Sequence, residues 1–234
     1  MTDAHSHILP QMDDGSRSVA DSLAMLAALK SQGVDTVVAT PHFYAEHDTP
    51  EHFFRKRKES FDALTAADPT LADVIRLGAE VWYYAGISRT EELSRFAIGG
   101  TELLLLEMPF SDWQRSAVKE VLDIQRERRL TVVLAHIDRY LSRANLESME
   151  EMADAGVLMQ VNAEAFTDRK KQKIVLSLLD DGLIRFLGSD CHDPQHRPPN
   201  IRPALSVIEK KLGAEAIGWL EHHSEIFSRE EGLP

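Results

Sequence analysis

Leu103-Leu104-Leu105-Leu106-Glu107 and, after an amphipathic stretch, Thr131-Val132-Val133-Leu134-Ala135-His136 follow one plan. Each is a short apolar run that ends on a polar side chain able to hold a metal. Runs bounded in this way read as buried strands, and the stretch between them, around 112–128, reads as a helix. The unit recurs on both sides of this pair. Thr36-Val37-Val38-Ala39, Val74-Ile75-Arg76-Leu77, Val157 to Val161 and Ile184 to Leu187 are further strand runs. Helical stretches are expected around 18–32, 50–66, 145–154, 168–181 and 201–211. The first carries Val19, Leu23, Leu26 and Leu29 at helical spacing and stops at Gly33; the second opens on Thr49-Pro50, a cap and first-turn pair. With an opening strand before His5 the total is about seven strands. Strands alternating with helices imply an α/β protein with a parallel sheet and crossover connections.

The chain has 234 residues, and no repeat, linker or charge block divides it, so residues 1–234 read as a single domain. Hydrophobic residues make up 43% and charged residues 27%, an ordinary globular balance. Lys+Arg 26 against Asp+Glu 38 gives a net charge of −12. That sign argues against a general nucleic-acid or membrane-surface binder, because phosphate backbones attract basic faces. The lone Cys191 cannot form an intramolecular disulfide, there is no signal-peptide pattern, and no apolar run is long enough to span a bilayer. A cytoplasmic protein without direct membrane insertion is the expectation. Its oligomeric state is left open. The Arg55-Lys56-Arg57-Lys58 run reads as a solvated helix face.

The polar residues after the apolar runs carry the chemistry. His5 and His7 follow the opening strand, with Asp13-Asp14-Gly15 just beyond. Then come His42, Glu80, Glu107, His136 and Asn162, and last Asp190 with His192. In a parallel barrel these positions share one rim, the face where such barrels place their chemistry. His5-x-His7 and Asp190-x-His192 put paired side chains on one side of an extended strand. The candidate metal ligands are His5, His7, Asp14, His42, Glu80, Glu107, His136, Asp190 and His192. One ion takes about four to six ligands, so nine on one rim point to two or three divalent ions. Imidazole and carboxylate without thiolate suit manganese, with iron or zinc as alternatives. His47, His52, His196, His222 and His223 are expected to be structural or exposed.

Asp3-Ala4-His5-Ser6-His7-Ile8-Leu9-Pro10, Thr40-Pro41-His42, Gly78-Ala79-Glu80, Ala135-His136-Ile137-Asp138-Arg139-Tyr140, Gln160-Val161-Asn162 and Gly188-Ser189-Asp190-Cys191-His192 together resemble the PHP (polymerase and histidinol phosphatase) superfamily. The opening stretch, His136 to Tyr140 and Arg197-Pro198-Pro199 are most similar to its bacterial tyrosine-phosphatase branch. The resemblance runs in order from residue 3 to about 202. It implies a distorted, TIM-like (β/α)7 barrel with a trinuclear, usually manganese-dependent centre on the nine residues above. It also implies that Arg139 and Arg197 are the catalytic, phosphate-gripping arginines. The implied function is hydrolysis of phosphotyrosine on the tail of a bacterial tyrosine kinase of capsule or exopolysaccharide biosynthesis. A hydroxide bridging two ions would attack phosphorus. Asp138 stands where the branch commonly has Glu, and the stretch between Asn162 and Lys170 is short for it.

Alternatives are a phosphatase of a small monoester such as histidinol phosphate, or a metal-bearing regulator that binds a kinase without turnover. A 3′ exonuclease is disfavoured by the charge. Cys191 and Arg197 also have the Cys-x5-Arg spacing of cysteine-dependent tyrosine phosphatases. The intervening residues contain no glycine, and Pro194 lacks an N–H to cradle phosphate. Trp82-Tyr83-Tyr84 read as packing residues or as flanks of a substrate ring. Arg17 ranks below the other two arginines, and Trp113 and Trp219 carry no functional signal.

Overall fold

A computed structural model describes residues 1–228. Within them nine parallel strands appear: β1 (Thr2–Ser6), β2 (Thr36–Ala39), β3 (His42–Phe43), β4 (Ile75–Leu77), β5 (Glu80–Trp82), β6 (Leu103–Glu107), β7 (Thr131–Leu134), β8 (Leu158–Asn162) and β9 (Ile184–Gly188). They pair in the orders β1-β2-β4 and β3-β5-β6-β7-β8-β9. Only Thr40-Pro41 separates β2 from β3, and only Gly78-Ala79 separates β4 from β5. The nine strands therefore form seven staves, two of them broken at the same level. The ends of the order meet. Ser6 bridges Cys191, Asp190 N donates to His5 O at 2.8 Å, and His7 N donates to Cys191 O at 2.9 Å. The buried Asp3 carboxylate pins this seam, accepting from Ser189 N at 2.7 Å and Ser189 Oγ at 2.5 Å. The α/β reading holds, and the distortion has a location.

Local chemistry explains the breaks. Pro41 has no N–H to give a ladder. On the other stave, residues 98–99 wedge between β4 and β6: Gly99 N donates to Leu77 O at 2.8 Å and Ile98 N to Leu103 O at 2.9 Å. A Cβ at position 78 would lie 2.9 Å from Ile98 Cγ1, so this close approach needs glycine. Hydrogen bonds still span both breaks, from Gly78 N to Ala39 O and from Glu80 N to Pro41 O. Arg57 ties down the free Gly78 carbonyl at 2.6 Å, and Lys56 reaches Met12 O at 2.8 Å. The basic run is thus solvated only at Arg55 and Lys58; the other two side chains are half-buried and bound.

Eight α-helices fill most crossovers of the described chain: α1 (Val19–Ser31), α2 (Pro50–Ala67), the single turn α3 (Leu71–Val74), α4 (Arg115–Arg128), α5 (Arg143–Asp154), α6 (Gln172–Asp180), α7 (Ile201–Leu212) and α8 (Ala214–Ser224). The caps are those read from sequence: Thr49 Oγ1 accepts from His52 N, and Pro50 opens the first turn of α2. The helix expected over 168–181 starts only at Gln172. Asp168 turns the chain first, its carboxylate accepting from Lys170 N and its carbonyl from Gln172 N. Between β5 and β6 the crossover holds only 3-10 turns, at Ile87–Arg89 and Glu91–Phe96.

One apolar layer lies between staves and helices. A second fills the floor of the barrel, where Ala4, Val38, Leu103, Leu105, Val133 and Phe186 meet Phe227. Phe227 comes from the last described turn and is held there by Arg76 Nε donating to its carbonyl at 2.9 Å. Trp113 and Trp219 donate their indole N–H groups to Pro109 O and Ile184 O, which are structural roles. No helix among the described residues is long and apolar enough to cross a membrane.

Candidate metal centre

Strand alternation carries the floor up to the rim. Leu103 and Leu105 point into the floor, and Glu107, two residues further on the same face, reaches the mouth. Phe186, Gly188 and Asp190 repeat this on β9. Gly188 is bare because a Cβ there would lie 2.6 Å from both His5 Cβ and Gln160 Nε2. His136 and Asp190 just beyond their strands take left-handed backbone, with φ of 33° and 51°. Such conformations in non-glycine residues are costly and concentrate at functional sites.

The nine side chains singled out from sequence converge at this mouth. Glu80 is the hub. Its Oε2 lies 3.3 Å from His5 Nε2, 3.4 Å from His7 Nε2 and 2.9 Å from His42 Nδ1, while Oε1 lies 2.7 Å from His136 Nε2. Glu107 Oε1 is 3.1 Å from His136 Nε2, and Asp190 Oδ1 is 3.5 Å from His7 Nε2. Asp14, the most exposed member, sits 3.5 Å from both His42 Nε2 and His192 Nε2. Three overlapping groups have ligand atoms close enough to share an ion: His5-His7-Asp190, His42-Glu80-Glu107, and His7-Asp14-His42-His192.

The tautomers show what the centre demands. Gln160 Oε1 accepts from the backbone N–H of His136 at 2.6 Å, which fixes the amide orientation. His5 Nδ1, 3.2 Å from the same oxygen, must therefore donate, so that Nε2 is the nitrogen a neutral ring turns to the cavity without a proton. Asp13 accepts from the backbone of Gly15 and His42, so His7 Nδ1, 2.7 Å away, donates to it as well. His192 Nδ1 donates to Asp190 O at 2.9 Å. In the neutral rings three Nε2 lone pairs thus face the cavity, and the Nε2 atoms of His5 and His7 stand 3.2 Å apart. Two lone pairs that close repel unless a cation lies between the rings and the carboxylates. Glu80 Oε2, Glu107 Oε2, His42 Nδ1, His136 Nδ1 and His192 Nε2 are also buried without a hydrogen bond, even where a charged neighbour is near. Orphans of this kind are costly in a closed core and are what a metal satisfies.

The electrostatics agree. Among the described residues, Asp13, Asp14, Glu80, Glu107 and Asp190 face two guanidiniums, Arg139 and Arg197. Burial opposes protonation of His136, yet the Glu107 and Glu80 carboxylates outweigh it and lift the ring to about 9. Burial likewise opposes a charge on His7, but Asp13 and Glu80 pull it well above the ordinary imidazole value. Burial alone would raise Glu80; His5, His136 and His42 instead hold it well below the usual carboxylate range. Protons here stand in for cations, and a metal would displace them.

Arg139 and Arg197 both reach the mouth, and both hold Asp190. Arg139 Nη2 donates to Oδ2 at 2.5 Å and Arg197 Nη2 at 2.9 Å, beside Asn162 Nδ2 at 2.7 Å. Arg17 is exposed and joins no ion pair among the described residues. His52 and His196 pair with Asp48 and Asp193, each close by in sequence. Tyr83 and Tyr84 turn from the mouth to Glu120 and Thr90, which leaves Trp82 alone of that triplet near the site. Sequence reading placed Asn162 at the rim and Gln160 in a motif but gave no holding role to Asp13, Gln160 or Asn162. Asp13 had a visible signal in Asp13-Asp14-Gly15, but nothing in that run tells which aspartate faces the cavity.

Cys191 is fully buried, and burial beside Asp3 pushes its thiol far above the ordinary range, so no thiolate is available. Cys191→Ser is expected to keep most of the wild-type rate of the hydrolysis that the sequence resemblance implies. A loss beyond about a hundredfold, with the fold intact by circular dichroism, would revive thiolate attack.

Comparison with known proteins gives a consistent result. The profile of the family described as "Capsular polysaccharide synthesis, CpsB/CapC" matches residues 1–224. Tyrosine-protein phosphatase CpsB of Streptococcus pneumoniae is 31% identical over 228 residues, covering 92% of this chain and 92% of that protein. Tyrosine-protein phosphatase YwqE of Bacillus subtilis is 28% identical over 248 residues, covering 100% and 93%. A solved chain from the crystal structures of YwqE and S. pneumoniae CpsB, described as unique metal-dependent tyrosine phosphatases, superposes with a TM-score of 0.83 at 27% identity. It covers 100% of this chain and 96% of its own.

Proposed function

The chain belongs to the CpsB/CapC family of capsular polysaccharide synthesis, and from that premise we propose that it is a metal-dependent protein-tyrosine phosphatase. The observation that carries the reading is the pair of Nε2 atoms of His5 and His7, 3.2 Å apart and facing Glu80 and Asp190, in rings whose Nδ1 atoms are both engaged as donors. Family relatives carry the same activity in their names.

His5, His7 and Asp190 would hold one ion. His42, Glu80, Glu107 and His136 would hold a second, and Asp14 with His192 would complete a third. We assign manganese, since carboxylates and imidazoles in this proportion favour harder metals. When bound, such ions supply a hydrolytic nucleophile from water near neutral pH and positive charge against phosphoryl oxygens. The protein's own residues do the rest. Asp13 and Gln160 lock the tautomers of His7 and His5, and such outer partners typically change metal affinity or activity by about 10–100-fold. Arg139 and Arg197 offer planar, paired donors to phosphate oxygens. Tyrosine leaves readily because a phenol has a pKa of about 10, so the site needs no dedicated strong acid.

The substrate we assign is a phosphotyrosine segment of a bacterial tyrosine kinase of exopolysaccharide or capsule synthesis, met in the cytoplasm. The test is a panel. Purified protein with added Mn²⁺ is assayed against a phosphotyrosine peptide, histidinol phosphate and single-stranded DNA, with elemental analysis of the protein as isolated. Hydrolysis of the peptide alone, abolished by chelation and restored by Mn²⁺, is expected. Preferred turnover of histidinol phosphate would move the reading to a small monoester. Metal bound without any turnover would favour a binding role.

A further inference from the structure

Phe110 is the large hydrophobic side chain that stands exposed among the described residues, at 59%. It is not on an outer helix. It lies just past β6, three residues beyond Glu107, over the mouth. Its ring is stacked near those of His136 (centroids 6.2 Å apart) and Tyr140 (5.8 Å). Trp82, half-buried, lies 5.6 Å away and continues through Tyr44 towards His42. The Arg139 guanidinium carbon sits 5.9 Å from the Phe110 centroid. Between Phe110, Asp112, Arg139 and Tyr140 a shallow cleft of about 120 Å³ opens to solvent.

Leaving so large an apolar ring mostly in water forgoes much of the stabilisation its burial would give. An exposed apolar group beside a polar centre marks a contact surface. The occupant it fits follows from what surrounds it. A guanidinium stands next to an aromatic face, so a phosphoryl anion and a ring held side by side in one molecule meet both at once. An aryl phosphate has that construction and an alkyl phosphate does not.

We propose that Phe110, backed by Trp82, is the shelf on which the substrate's aromatic ring rests, and that it makes this centre select aryl over alkyl phosphate esters. The proposal rests on the phosphatase reading for the identity of the substrate, but the selectivity itself is a property of binding. Phe110 is a specificity residue and touches no reacting atom. Ring contact of this kind, with the buried area added, corresponds to about tenfold in affinity.

Binding of phenylphosphonate and methylphosphonate, which cannot be hydrolysed at the C–P bond, tests this by titration calorimetry on the Mn²⁺-loaded protein. Wild type is expected to bind the phenyl compound about tenfold tighter. Phe110→Ala should erase that difference and leave inorganic phosphate affinity unchanged, while Phe110→Tyr should retain it. Equal binding of the two phosphonates by wild type, or an undiminished preference in Phe110→Ala, overturns the proposal. A phosphotyrosine peptide that is not hydrolysed, with phenyl preference intact, would instead count against the activity and leave the shelf standing. Phe110 is exposed, so its truncation leaves the apolar layers of the fold untouched.

Discussion

Replacing Glu80 by Gln is expected to lower kcat/KM for a phosphotyrosine peptide by roughly 10³-fold or more, the several kcal/mol that metal-borne charge stabilisation supplies. The reason is its place as hub. Its two oxygens lie within 3.4 Å of nitrogens from four histidines, His5, His7, His42 and His136. An amide keeps the shape and removes the charge. It also presents an N–H₂ group to rings whose bare nitrogens need a cation. Elemental analysis should show metal content reduced along with rate. Thermal unfolding without metal should move to lower temperature, because the histidines that hold Glu80 ionised lose their partner. Full metal content with near-wild-type turnover in Glu80→Gln would remove the basis for a shared centre.

The second large effect is expected at the arginines. Arg139→Met or Arg197→Met should each cost about 10²–10³-fold in kcat/KM, the usual loss on deleting one donor to a developing oxyanion. Lys should rescue neither well, because it lacks the planar fork. Metal content should stay near wild type. Asp190 keeps its Oδ1 towards His5 and His7, and Asn162 still donates to Oδ2 at 2.7 Å. Loss of metal in parallel with rate would instead make these arginines supports of Asp190. Phosphate titration on protein with full metal content separates the two outcomes: loss of a grip weakens phosphate binding there, and loss of a support weakens it only as metal is lost.

The residues that end the apolar runs were legible because strand period and rim position are local properties. Leu105 and Glu107 share a face whatever the rest of the chain does. The broken staves were not legible. Ile75 to Leu77 and Glu80 to Trp82 look like one strand with a glycine in it, and the break depends on residues 98–99 wedging in from elsewhere. The holders of the histidines were hidden for the same reason. Gln160 reaches His5 from 155 residues away, and its amide is oriented by a third strand end at His136. His136 also departs from the alternation of Val133 and Ala135, and only its left-handed backbone brings the ring inward. Phe110 gave no signal, since one phenylalanine after Met108-Pro109 reads as any loop residue until its neighbours are known.

The seam and the floor of the cylinder have a bearing on how the molecule comes to exist at all. Asp3 is anchored by Ser189, and Ala4 shares its buried cluster with Phe227. Contacts spanning nearly the entire described length raise the contact order, and topologies of that sort assemble slowly. A nascent chain still on the ribosome has its first strand waiting, one edge unpaired, until the ninth emerges, and its base stays open until residue 227 arrives. The interval is a window for aggregation. Metal availability during synthesis acts on the same window, because His5 and His7 lie at the end of the earliest strand and Asp190 and His192 just past the latest.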